Sequence, residues 1–196
     1  ILTLFFIFLG KKIKIINLIK IIITVFLVIS PYVIRNYIHF NQVIIVKSLG
    51  YNLWKGNNQL STVEGYGKFE IDEFKNLHYK VKNIKENKYY EINWDDIFLD
   101  EAINNLKKNP IKYTKLFFEK LFSFYFIDLE SSYPNYYSFF HIFPVILLSL
   151  LSFPSLIVFF RTNKFENKYL GLYLFSSLII FSIFFILPRY KLIILP

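Results

Sequence analysis

Residues 139–160 read FFHIFPVILLSLLSFPSLIVFF, 22 consecutive positions without an Asp, Glu, Lys or Arg. A run of about 18 or more such residues is long enough to carry a helix through the hydrocarbon core of a bilayer. Tyr169 to Leu187 supplies 19 more, joined to the first run by the short polar turn Arg161 to Lys168. Upstream, Ile15 to Ile34 forms a third complete span. Asn17 and Lys20 lie near its start, where a lysine snorkels to the headgroups, and Pro31 lies near its far end. The whole chain is 55% hydrophobic and 21% aromatic with only 19% charged residues, which excludes a disordered protein. The expected fold class is all-α and integral to a membrane, a multi-span helical bundle fragment.

Both ends read as cut. Ile1 to Leu9 is apolar and is followed by Gly10 and a lysine run. Nine residues cover about 14 Å of a hydrocarbon core near 30 Å thick, so this reads as a truncated helix. A signal peptide would carry its positive charges before the apolar run. Leu192 to Pro196 reads as the start of another span. The expectation is an internal piece of a longer polytopic protein in four parts. Residues 1–39 hold the truncated span and the first complete one, and 40–138 a long loop. Residues 139–187 hold two spans, and 188–196 an external motif leading into a cut span.

Charge sets the direction of insertion. Residues 42–138 hold 13 lysines against 13 acids, so the net charge of +9 lies in the segments flanking the spans. Lys11, Lys12, Lys14, Lys20, Arg161, Lys164 and Lys168 fall on one side, while Arg35, Arg189 and Lys191 are the span-adjacent cations on the other. The lysine-rich side faces the cytoplasm, which makes the long loop extracytoplasmic. The basic balance therefore reports topology, and no nucleic-acid partner is expected.

Within the loop, Asp95, Asp96, Asp100 and Glu101 precede Lys107 and Lys108, the order that suits a helix dipole. Asn109-Pro110 ends that helix and starts another. In the second, Ile111, Leu116, Phe117, Leu121, Phe124 and Tyr125 alternate with Lys112, Lys115, Glu119 and Lys120, a pattern for an amphipathic helix lying on the membrane. Residues 60–92, rich in charge and poor in periodicity, read as irregular.

Three features on the external face invite a functional reading. Pro31-Tyr32-Val33-Ile34-Arg35-Asn36-Tyr37 places an arginine where the first span leaves the bilayer. Gly50-Tyr51-Asn52-Leu53-Trp54-Lys55-Gly56-Asn57-Asn58 reads as a glycine-bracketed turn carrying three amides and an indole. Pro188-Arg189-Tyr190-Lys191 caps the last span. A guanidinium at that depth suits a lipid phosphate, which it grips with two parallel hydrogen bonds. Amides and an aromatic face are the usual means of holding a sugar. Each feature also has an ordinary counterpart in snorkelling arginines and the aromatic belt.

Other chemistries find little support. The chain has no cysteine, which removes disulfides and thiolate sites. His39, His78 and His141 lack metal-ligand spacing, and no nucleotide-binding fingerprint is present. No cofactor is evident.

Taken in order, Pro31-x-x-x-Arg35-Asn36-Tyr37, the Gly50–Asn58 segment, the Lys107-Lys108-Asn109-Pro110-x-x-Tyr113 junction and Pro188-Arg189-Tyr190-Lys191 resemble a known family. The pattern is similar to the C-terminal part of the GT-C fold glycosyltransferases that use polyprenyl-phosphate sugars, of the protein mannosyltransferase and aminoarabinose transferase kind. The family often carries proline where Gln59 and Ile193 stand here. The resemblance implies an enzyme of the bacterial inner (plasma) membrane. It would move a sugar from a polyprenyl-phosphate donor to a lipid, glycan or protein acceptor on the extracytoplasmic face. It implies that the acidic base lies upstream of Ile1, so this chain holds no catalytic residue. Ligands for any divalent metal would lie there too. Arg35, Arg189 and Lys191 would bind the lipid phosphate, while Tyr37, Trp54, Asn57, Asn58 and Tyr190 would contact the sugar or shape its cavity. Two rival readings are a flippase or transporter of lipid-linked sugars, and a glycan polymerase or ligase using a lipid diphosphate donor.

Overall fold

The structure, a computed structural model, describes residues 15–161 and 165–187. Among them every regular element is helical and no strand occurs. There are seven α-helices: α1 (Ile15–Phe40), α2 (Leu49–Gly56), α3 (Lys75–Lys82), α4 (Tyr90–Lys108), α5 (Pro110–Tyr125), α6 (Phe139–Arg161) and α7 (Phe165–Ile183). A single 3-10 turn, Asp72–Phe74, leads into α3. The all-α expectation is met. Among the described residues one helix is long and apolar enough to cross a membrane, Ile19–Phe40, with mean hydropathy 1.8. Phe139–Leu151 and Tyr173–Ile183 are shorter apolar helical stretches.

α1 runs six residues beyond the expected exit at Ile34. Pro31 sits inside it, and the helix stops where Asn41 takes a left-handed φ of 51° and donates its N–H to Tyr37 O at 2.7 Å. Asparagine tolerates that conformation better than most residues, so it closes the helix cleanly. Arg35, Asn36 and Tyr37 are therefore helical residues. α1 packs little against the rest of the chain, with only 6% of its apolar window buried.

The loop folds around α4. α2 crosses it closely enough that a Cβ on Gly50 would lie 2.0 Å from the backbone oxygen of Asp95. Trp54, Phe74, Leu77, Val81, Phe98 and Ala102 form the core there. Residues 60–92 are accordingly not irregular throughout, as α3 shows. Its Leu77 and Val81, four apart, bury one stripe against that core while its lysines and tyrosine face outward.

α5 begins with Pro110 in its first turn, as the Asn109-Pro110 junction predicts. Its orientation differs from expectation. The inward face is Tyr113, Leu116, Lys120, Ser123 and Phe124, whereas Ile111 and Phe118 are exposed. That face packs on α7, where Phe124 stacks on Phe181 at 5.5 Å. α7 ends at Ile183, four residues before the expected limit of the last span. Phe185, Ile186 and Leu187 then continue as buried, non-helical chain beneath the loop.

Candidate functional site

The end of α1 builds one wall of a cleft. Asn36 is buried and donates its Nδ2–H to Ile44 O at 2.9 Å, folding residues 41–47 back beside the helix. The enclosed space is about 730 Å³ and is lined by Tyr32, Arg35, Asn36, His39 and Phe40 on one side. Ile44 to Lys47 and Asn87, Lys88, Tyr90, Glu91 and Ile92 line the others. Three lysine or arginine residues, Arg35, Lys47 and Lys88, thus line the cleft with one carboxylate, Glu91. Lys47 is held by Asp96, and Lys88 lies over the Tyr89 ring. Arg35 is exposed and engages no described residue in a hydrogen bond or ion pair. A guanidinium left with its donors open, beside the apolar wall Ile44–Val46, suits an anionic group carried on a hydrocarbon chain. Tyr37 is exposed on the same helix but is not among the lining residues.

The Gly50–Asn58 segment has the opposite character. Through Gly56 it is a helix, α2, and not the expected turn, with Asn57 and Asn58 just past its end. Asp95, read from sequence as serving the dipole of its own helix, is fully buried and accepts the Tyr51 N–H at 2.9 Å, capping the first turn of α2 instead. Trp54 has no exposed surface and packs edge-on against Phe74 and Phe98 at 5.1 and 5.0 Å. An indole so enclosed presents no face at the surface, which leaves it the shaping part of its expected role rather than direct contact. Asn58 is equally enclosed: its Nδ2 donates to Trp54 O and Tyr66 O, and its Oδ1 accepts from Leu60 N–H. Asn57 donates Nδ2 to Leu53 O and, across the fold, to Ile183 O at 2.8 Å. It also lines a second cavity of about 380 Å³ between α5 and the end of α7, separate from the cleft at Arg35.

One residue of this region escaped the sequence reading. Lys120 is completely buried, and its ammonium donates to Gly56 O at 2.7 Å and Phe184 O at 2.6 Å, with Asn57 Oδ1 at 3.4 Å. No described carboxylate pairs with it. Burial pulls its pKa down to about 7. In the sequence Lys120 is one lysine among several on an amphipathic pattern; nothing in that pattern marks it.

The structure brings together Trp54, Asn57 and Asn58, and sets Arg35 in a different cavity. Arg189, Tyr190 and Lys191 lie outside the described residues. No group of three or more His, Cys, Asp or Glu suited to a metal occurs among the described residues. No protein-family model, curated protein or solved structure matches the chain.

Proposed function

We propose that the chain is part of a multi-span membrane glycosyltransferase that takes a sugar from a polyprenyl-phosphate carrier on the extracytoplasmic face. The observation that carries this is Arg35: an open guanidinium on the last turns of a membrane-length helix, lining a cleft with an apolar wall. A carrier lipid arrives from the bilayer with its phosphate at the interface and its chain in hydrocarbon. Arg35 meets the phosphate at that level, and Arg189 and Lys191 join it from the end of the last span. When the sugar leaves, negative charge grows on the phosphate oxygen. Fixed cations stabilise that charge more than the ground state, an effect of about 3 kcal/mol per well-placed donor. The acceptor hydroxyl gives its proton to a carboxylate acting as general base, a role that the family resemblance assigns to none of the residues of this chain. Trp54 and Asn58 serve this site from below, as the scaffold of the loop.

The test uses the full-length protein in vesicles with a labelled polyprenyl-phosphate sugar. Transfer to an acceptor is expected, and Arg35→Ala is expected to lower it about a hundredfold with unchanged protein yield. Wild-type turnover in Arg35→Ala overturns the site. Movement of the intact donor across the bilayer without transfer favours a transporter, and a requirement for a lipid diphosphate favours a polymerase or ligase.

A further inference from the structure

The chain from Ile183 to Ile186, just before the Pro188–Lys191 motif, is fixed at four points. Ile183 O accepts from Asn57 Nδ2, Phe184 O accepts from Lys120 Nζ, and the Ile186 N–H donates to Val63 O at 2.8 Å. The fourth point is contact: a Cβ on Gly56 would lie 1.7 Å from Phe184 O, so only glycine lets the two backbones meet. Lys120 bonds to both partners of that meeting, Gly56 O and Phe184 O. These are carbonyls at the C-terminal ends of α2 and α7, where unsatisfied oxygens and the helix dipoles favour a cation.

We propose that Lys120 is a positioning residue: it clamps the end of α7 to the end of α2 and so fixes the chain from which the Pro188–Lys191 motif follows in sequence. The inference rests on the proposed role of Arg189 at the lipid phosphate. Lys120 touches neither donor nor acceptor; it acts through the three residues between its bond at Phe184 and Pro188. A buried lysine is costly to desolvate, and an apolar residue of similar length would pack there more cheaply. The three acceptors of its hydrogen bonds are all oxygens of the two segments being joined. The exposed lysines of α5 have other partners: Lys115 pairs with Glu119, and Lys112 reaches Gln59 O.

The experiment compares wild type, Lys120→Met and Lys115→Met in the full-length, detergent-solubilised protein, by hydrogen exchange and by sugar transfer. Lys120→Met is expected to speed exchange of the Phe184–Leu187 amides about tenfold or more, with residues 75–82 unchanged. Turnover is expected to fall about tenfold, yet not to fall further when Lys120→Met is added to Arg189→Ala. Lys115→Met changes neither. Unaltered exchange at 184–187 overturns the clamp, and a fully additive loss with Arg189→Ala overturns positioning through that arginine. Faster exchange in a protein whose wild type transfers no sugar upholds the clamp and sinks the glycosyl-transfer reading instead. If Lys120→Met fails to accumulate, Asn57→Ala, which removes the bond to Ile183 O together with those to Leu53 O and Lys120 Nζ but leaves Lys120 bonded to Gly56 O and Phe184 O, is expected to give a smaller loosening of the same amides; none would overturn the proposal.

Discussion

The exit of α1 and the short helix α2 carry similar residue types, an asparagine, aromatics and a cation within a few positions, and use them in opposite ways. Around α2 the amides are engaged by the protein itself: Asn57 and Asn58 are buried and bonded to backbone, and one oxygen of the buried Asp95 caps the helix. At the end of α1 only Asn36 is so engaged, while Arg35 faces a cleft with its donors open. A polar group whose bonds are complete holds a fold together, and one that is exposed and incomplete is available to a ligand. The amide-rich segment that looks more like a binding motif is the scaffold, and the lone arginine is the better candidate site.

Breaking the scaffold has the largest expected effect. Gly56→Ala drives a methyl into Phe184 O and Gly50→Ala into Asp95 O, and backbone on both sides limits relaxation. Each is expected to cost about 3 kcal/mol or more, read as lost folded protein and a lower unfolding midpoint in detergent. Next comes pH. Lys120 has a folded pKa near 7, below its unfolded value, so between the two the unfolded chain binds the extra proton. Stability should therefore rise as pH climbs from 7 toward 9, by about 2 kcal/mol, and the rise should vanish in Lys120→Met. Asp95→Ala, which uncaps α2, is expected to cost about 1–2 kcal/mol in the same unfolding measurement. Arg35→Ala sharpens the contrast from the other side: a change within about 0.5 kcal/mol in stability, with turnover lost.

What could be read from the residues depended on whether their environment was local. The all-helical class, the break at Asn109-Pro110 and the start of α6 follow from apolar length and from a missing proline N–H, both visible in a short window. α2 was misread because two glycines in eight residues argue against a helix. They are there because two other backbones come close, which no window around Gly50 or Gly56 contains. α3 was missed because Leu77 and Val81 sit among lysines, two apolar positions being too few to show a period. The burial of Lys120 depends on carbonyls 64 positions away in each direction. A lysine code says charge, and only the fold says that the charge is inside.

Trp54 has one further consequence. Its indole N–H is buried without a hydrogen-bond partner and its ring is sealed among Tyr51, Phe74 and Phe98. The chain has just two tryptophans, and the other, Trp94, touches the same Phe98 and is half-buried. Ultraviolet emission from the protein is thus dominated by one small neighbourhood in the loop, with Trp54 set to emit at short wavelength while water is kept out. An unlabelled sample carries its own optical gauge of whether that neighbourhood is closed, blind to the helices that make up much of the rest.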